Sequence, residues 1–187
     1  MRNSIAQSLT LEQFLNRPET KPACEYINGE IRQKPMPQGE HSLLQGKLCQ
    51  SINQAATPDK IAYSFPELRC TFGGRSIVPD LVVFRWERIP LTPSRKIANR
   101  IETFPDWSIE ILSPHQNQTK VLDNLLHCSQ QGTELGWLID PEEETVLVVF
   151  SDQRIQLFRG QTILPILRGI NFDLTPDNLF NWLQFEN

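Results

Sequence analysis

The sequence predicts an α/β fold in which a mixed sheet is flanked by helices, and three observations predict it. From Glu40 the apolar residues Leu44, Leu48, Ile52 and Ala55 recur at spacings of four and three, the mark of one buried helix face ending before Pro58. Three strand-like runs follow, Ile61 to Phe72, Ile77 to Phe84 and Trp107 to Leu112. A second helix then opens at Ser113-Pro114 and closes at Gly132, and the run Leu135 to Ile139 reads as a further strand. Helix, three strands, helix, strand gives a sheet with helices packed against it.

The remaining elements fit around this core. A short helix near Leu9 to Leu15 precedes a strand from Glu25 to Gln33, broken by a hairpin turn at Asn28-Gly29, and Pro35 to Gly39 form a loop. Gly73-Gly74 joins the first two core strands, because this pair tolerates the positive φ of a tight turn. Ser113 is the expected cap of the second helix, with Pro114 in its first turn and Gln116 completing a capping box. Asp140-Pro141 separates Leu135 to Ile139 from a strand at Thr145 to Phe150, and Gln153 to Phe158 with Thr162 to Leu167 read as a strand pair before a helix from Pro176 to Leu183. The 187 residues suit a single domain over 1–187, with its core at about 25–150 and 151–187 supplying C-terminal strands and a short helix.

Composition excludes several classes. With 39% hydrophobic and 21% charged residues the chain is neither disordered nor fibrous. It has no run of eighteen apolar residues, and MRNSIAQSLT lacks an export signal's apolar stretch, so the expectation is a cytoplasmic protein without a membrane span. Cys24, Cys49, Cys70 and Cys128 lie far apart and are read as reduced thiols rather than half of a zinc site. A net charge of −4 argues against a protein that coats nucleic acid by bulk charge, although Arg85, Arg88, Arg95, Lys96 and Arg100 face only Glu87 within one segment.

Two acids stand out because they occupy strands. In Trp107 to Leu112, Trp107, Ile109 and Ile111 share one face while Ser108, Glu110 and Leu112 share the other. Asp80 in Val78-Pro79-Asp80-Leu81-Val82-Val83-Phe84 points with Val78, Val82 and Phe84. An ionised carboxylate in such surroundings costs several kcal/mol, roughly, unless a cation or strong donors compensate. Two such acids suggest one shared cation, and oxygen ligands favour Mg2+ or Mn2+ over zinc. Such an ion suits phosphodiester hydrolysis. Asp106, beside Pro105, is a second proline-acid pair and is assigned a structural role.

These residues resemble the PD-(D/E)XK nuclease superfamily, with Pro79-Asp80 as the PD and Glu110-Ile111-Leu112 as the (D/E)XK. More closely, PDLVVF, PDWSIEILSP and GTELGWLIDPEEETVLVV, preceded by EYINGEI and GEHSLLQGKL, are similar to the Uma-type bacterial family of restriction-endonuclease-like proteins. The resemblance spans about Glu25 to Phe150. It implies a restriction-endonuclease-like core and a metal held by Asp80, Glu110 and the carbonyl of Ile111, with a lysine assisting the attacking water. It further implies DNA as substrate, and cutting both strands of a duplex favours a homodimer.

The lysine is where the chain departs from the pattern, since Leu112 stands at the third motif position and Asn124 at the helix position that may replace it. Lys120, one turn before Asn124, is the candidate substitute, although it lies opposite the buried face formed by Val121, Leu122, Leu125 and Leu126. His127 and Gln131 lie on the same polar stripe and are expected to be exposed. His41 matches a histidine of the family's segment, with a helix cap or core edge as its structural alternative, and Glu40 and Glu67 are further possible ligands. The leading expectation is thus a metal-dependent endonuclease acting on DNA through Asp80, Glu110 and Lys120. The alternatives are a catalytically weakened nucleic-acid-binding or assembly protein that keeps the nuclease fold, and a structural protein whose acids are core polar groups.

Overall fold

The periodicity after Gln38 is realised as the 18-residue helix α2 (Gly39–Ala56), whose face of Leu44, Leu48, Ile52 and Ala56 is fully buried. The structure, a computed structural model, describes residues 9–185; residues 1–8 and 186–187 of the span expected as one domain lie outside the described residues, as does most of the stretch read for an export signal. Before α2 come α1 (Leu11–Leu15), capped by Thr10 and Gln13 in a capping box, and the hairpin of β1 (Cys24–Ile27) and β2 (Glu30–Gln33). Asn28 and Gly29 both take positive φ, as the turn requires.

The expected single sheet is two. β3 (Ala62–Pro66), β6 (Leu81–Arg85), β7 (Trp107–Ile111), β8 (Leu135–Asp140), β9 (Thr145–Phe150) and β10 (Ile155–Phe158) form a six-stranded sheet ordered β10-β9-β8-β7-β6-β3. β4 (Cys70–Phe72) and β5 (Arg75–Ile77), joined by Gly73-Gly74, combine with the first hairpin in a four-stranded sheet ordered β2-β1-β5-β4. The runs 61–72 and 77–84 are therefore each split between the two sheets. The reason is local. Pro79 has no amide to continue a ladder, and Glu67 takes φ +47° with its amide donating to the Asp80 carbonyl, so both segments change sheet side by side at Asp80.

Within the large sheet only β7 and β8 are parallel, linked by α3 (Gln118–Gln131); the other neighbours are antiparallel. Trp107, Ile109 and Ile111 face the core beneath α2, where Trp107 meets Trp137 edge-on at 4.7 Å, while Leu112 packs with Val121 and Leu125 of α3 on the other face. The cap of α3 is Asn117, whose side chain accepts from the Lys120 amide; the expected Ser113 cap is displaced because His115, at φ +64°, turns the chain before the helix begins. Gln116 still accepts from the Ser113 amide. Gly132 ends α3 at φ +116°, and a Cβ there would lie 2.7 Å from the Phe104 ring.

The C-terminal region departs from the strand-pair expectation. β10 pairs with β9, but residues 162–167 form no strand; Leu164, Leu167, Ile170 and Leu174 instead fill the core next to α4 (Pro176–Asn181). Among the described residues no helix is long and apolar enough to cross a membrane, and the four cysteines are free.

The edge strand β3 is blunted by α2. The Asn53 amide donates to the Ser64 carbonyl at 3.0 Å and accepts from the Ser64 amide at 2.7 Å, so a side chain replaces a neighbouring strand. Replacing Asn53 by Ala leaves the buried Ser64 amide unpaired and the Ser64 carbonyl with only the Cys49 thiol, and is expected to lower stability by about 1–3 kcal/mol in urea denaturation. An unchanged midpoint would contradict this role.

Candidate functional site

The register of β6 and β7 places the two strand acids together. Val83 pairs with Trp107, Val82 with Ser108 and Leu81 with Ile109, so the next step in this register sets Asp80 opposite Glu110. Like charges directly opposite on antiparallel strands repel, and both acids are buried, at 3% and 2% exposure. Their common partner is Lys34, which follows β2: its ammonium donates to Asp80 Oδ1 at 2.7 Å, Glu110 Oε2 at 3.0 Å and the Val78 carbonyl at 2.8 Å. All three ammonium protons are engaged.

The N-terminus of α2 completes the surroundings of Asp80. His41 Nε2 lies 3.1 Å from Asp80 Oδ2, and Gln45, one turn later on the same face, donates to the Asp80 carbonyl at 2.8 Å. The Ile111 amide also donates to Asp80 Oδ2 at 2.7 Å. His41 Nδ1 is buried without a partner among the described residues. A third acid, Glu25 on β1, accepts from the Val78 amide at 2.8 Å and from the Asn124 side chain at 3.1 Å.

One ammonium does not neutralise these three carboxylates, and the two strand acids divide accordingly. Burial would raise Asp80, but the Lys34 charge and the His41 hydrogen bond overcome it and hold Asp80 below the usual carboxylate range. Glu110 has Lys34 as its one hydrogen-bond partner among the described residues. Burial, opposed by Lys34 but reinforced by the charges of Asp80 and Glu25, pushes it up to about 8. Burial works against the Lys34 ammonium as well, and the three acids more than offset it, so the lysine stays charged.

Not every expected residue reaches this centre. Asp80, Glu110 and the backbone of Ile111 are brought together, and His41 joins them. Lys120 is exposed, and no hydrogen bond or ion pair links its side chain to either acid among the described residues. Glu40 and Glu67 are exposed at the rims of adjoining clefts. His127, expected on the surface, is buried because its ring stacks on Phe72 at 5.3 Å and its Nε2 meets the Phe72 carbonyl; burial also lowers its pKa. Gln131 is exposed as expected. Asp106 has the structural role assigned to it, accepting from the Arg85 amide and pairing with Arg88. In the basic segment, Arg85 is engaged by Glu134 and Arg100 by Glu102, which leaves Arg95 and Lys96 as its cations without an ion pair among the described residues.

Lys34 and Glu25 were missed. The signal for them is the hairpin register: Cys24 pairs with Gln33 and Glu25 with Arg32, so Lys34 continues opposite Ala23 and shares a face with Glu25.

Two clefts meet at His41. One, of about 420 Å³, is lined by Lys34, Met36, Arg69 and Asp80; the other, of about 830 Å³, runs past Gln38, Leu112, Ser113 and His115. Among the described residues no group of three or more His, Cys, Asp or Glu side chains is arranged to hold a metal. The donor set nevertheless fits a magnesium-like ion, which is commonly bound through one or two carboxylates and completes its shell with water and substrate phosphate. Both acids already contact one common cation, the Lys34 ammonium.

Among curated proteins none matches the chain. A solved structure described as a putative nuclease belonging to DUF820 from Anabaena variabilis ATCC 29413 is 49% identical, with a TM-score of 0.90, over 94% of this chain and 99% of that one. Residues 11–177 match the Uma2 family, described as "Putative restriction endonuclease". With that match covering most of its length, the chain belongs to the Uma2 family.

Proposed function

We propose that the protein is a metal-dependent endonuclease that hydrolyses DNA phosphodiesters in the cytoplasm. The observation that carries this reading is the pair of buried acids set opposite each other in adjacent strands and sharing one cation. Membership of the restriction-endonuclease-like family and the likeness to a nuclease structure support it. Asp80, Glu110 and the Ile111 carbonyl would hold Mg2+ or Mn2+. When bound, such an ion neutralises phosphate charge and lowers the pKa of a water.

The chain's own residues prepare the site. Three donors, from Lys34, His41 and the Ile111 amide, keep the Asp80 carboxylate ionised and fixed in orientation. Glu110, with one donor, retains a proton that a divalent ion would displace. The two clefts converge on His41 and Asp80 lines one of them, which would give a DNA strand a path past the site, and a two-fold pair of chains would present two such sites to a duplex. The second reading, a catalytically weakened nuclease, rests on Leu112 and Asn124; the ammonium of Lys34 at the acids supports a competent site instead.

Asp80→Ala and Glu110→Ala proteins, checked for folding by circular dichroism, are expected to lose Mg2+-stimulated plasmid nicking by roughly a hundredfold or more. Nicking equal to wild type by folded variants would refute the proposal. The raised pKa of Glu110 also sets a pH dependence. Folding raises this carboxyl from its ordinary 4.5 to about 8, so its stability contribution is complete below pH 4.5 and is lost as pH rises through about 8. Metal-free wild type is therefore expected to melt at a lower temperature at pH 8 than at pH 5.5, with a smaller difference in Glu110→Gln. An identical pH dependence in both proteins would contradict the assignment.

A further inference from the structure

The sequence pattern looks for its lysine on α3, and the structure has an asparagine there whose amide is spent on Glu25 at 3.1 Å, with its Oδ1 buried and unpartnered among the described residues. The ammonium reaches the acids from the opposite side, carried by the chain leaving β2. Lys34 is held there by its amide, which donates to the Ala23 carbonyl and extends the hairpin by one step, and its side chain is 15% exposed. Glu25 ties the two positions together: it accepts from Asn124 directly, and its charge acts on Lys34.

We propose that Lys34 is the positioning lysine of this site, delivered by β2 in place of one from α3, and that its ammonium competes with the divalent ion for the gap between Asp80 and Glu110. The inference rests on the nuclease reading for its catalytic half only. The competition follows from charge and space. Carboxylate oxygens that face an ammonium at 2.7 and 3.0 Å do not also face a divalent ion at roughly 2.1 Å without bringing two cations into contact. The lysine has somewhere to go, because it lines the 420 Å³ cleft together with Pro35, Met36 and Arg69. Drawn back from the acids, its charge stays at the cleft mouth, where an incoming phosphate meets it. The same residue thus neutralises the acids before metal binding and orients substrate after it.

The test separates metal affinity from cleavage. Mn2+ binding is measured by calorimetry on wild type, Lys34→Met and Lys34→Met/Asn124→Lys, with plasmid nicking in the same buffer. Lys34→Gln, which keeps a hydrogen-bond donor, replaces Lys34→Met if the latter does not fold. Removing the lysine is expected to tighten Mn2+ binding tenfold or more while reducing nicking by about a hundredfold. Restoring a lysine at position 124 is expected to recover at least a tenth of the wild-type rate. A purely structural lysine would instead give equal or weaker Mn2+ binding in the variants, and that result overturns the proposal whether or not any protein nicks DNA. Tighter binding with wild-type nicking also overturns it, by removing the positioning role. Tighter binding by the variant, with no nicking even by wild type, would sustain the competition for the gap and refute the nuclease reading alone.

Discussion

Asp80 and Glu110 stand opposite each other in neighbouring antiparallel strands, out of contact with bulk water, and repel. The surrounding elements supply the donors that compensate their burial. The chain changes sheet at Pro79-Asp80, which frees the Asp80 carboxylate to accept from the Ile111 amide. The N-terminal turns of α2 present His41 and Gln45 to the same residue, and the small sheet delivers Lys34 and Glu25. Removing one member of a buried ion pair typically costs about 3–5 kcal/mol, so the small sheet and the α2 terminus are energetically tied to the two strand acids through the side chains they contribute.

Charge arithmetic connects this centre to its chemistry. Three carboxylates and one ammonium leave an excess of negative charge, and burial together with the charges of Asp80 and Glu25 raises the Glu110 carboxyl above its usual range. Asp80 and Glu110 differ in donors: Asp80 is held by Lys34, His41 and the Ile111 amide, while Glu110 has Lys34 alone among the described residues. Leu112, in the motif position where a lysine is usual, packs against α3 with Val121 and Leu125, which leaves the acids' positive partner to come from elsewhere.

Much of this was legible in the sequence. The period of two in Trp107 to Leu112 assigned both faces correctly, and the apolar period of residues 44–55 found α2. Asp80 and Glu110 were recognisable as costly residues in apolar strands, and Asp106 was rightly set apart. The split of two predicted strands between sheets was not legible, because it depends on Glu67 and Pro79 turning together, a contact between distant segments. His127 was misplaced because helical position gives no information about the hairpin loop that covers it. Lys34 follows a short strand of mostly exposed residues, and only the hairpin register and the small sheet's position against β6 reveal where its side chain ends. Lys120 lies on α3, the element the family pattern points to, and remains in solvent.

The most direct test of the shared-cation account is an anomalous-scattering map from crystals soaked in Mn2+. The account predicts a single peak roughly 2.1 Å from carboxylate oxygens of both Asp80 and Glu110, with the Lys34 ammonium withdrawn toward the adjoining cleft. No peak between the two acids, with Lys34 still bridging them at saturating Mn2+, would mean that the lysine is their permanent partner and that the pair is a structural ion cluster.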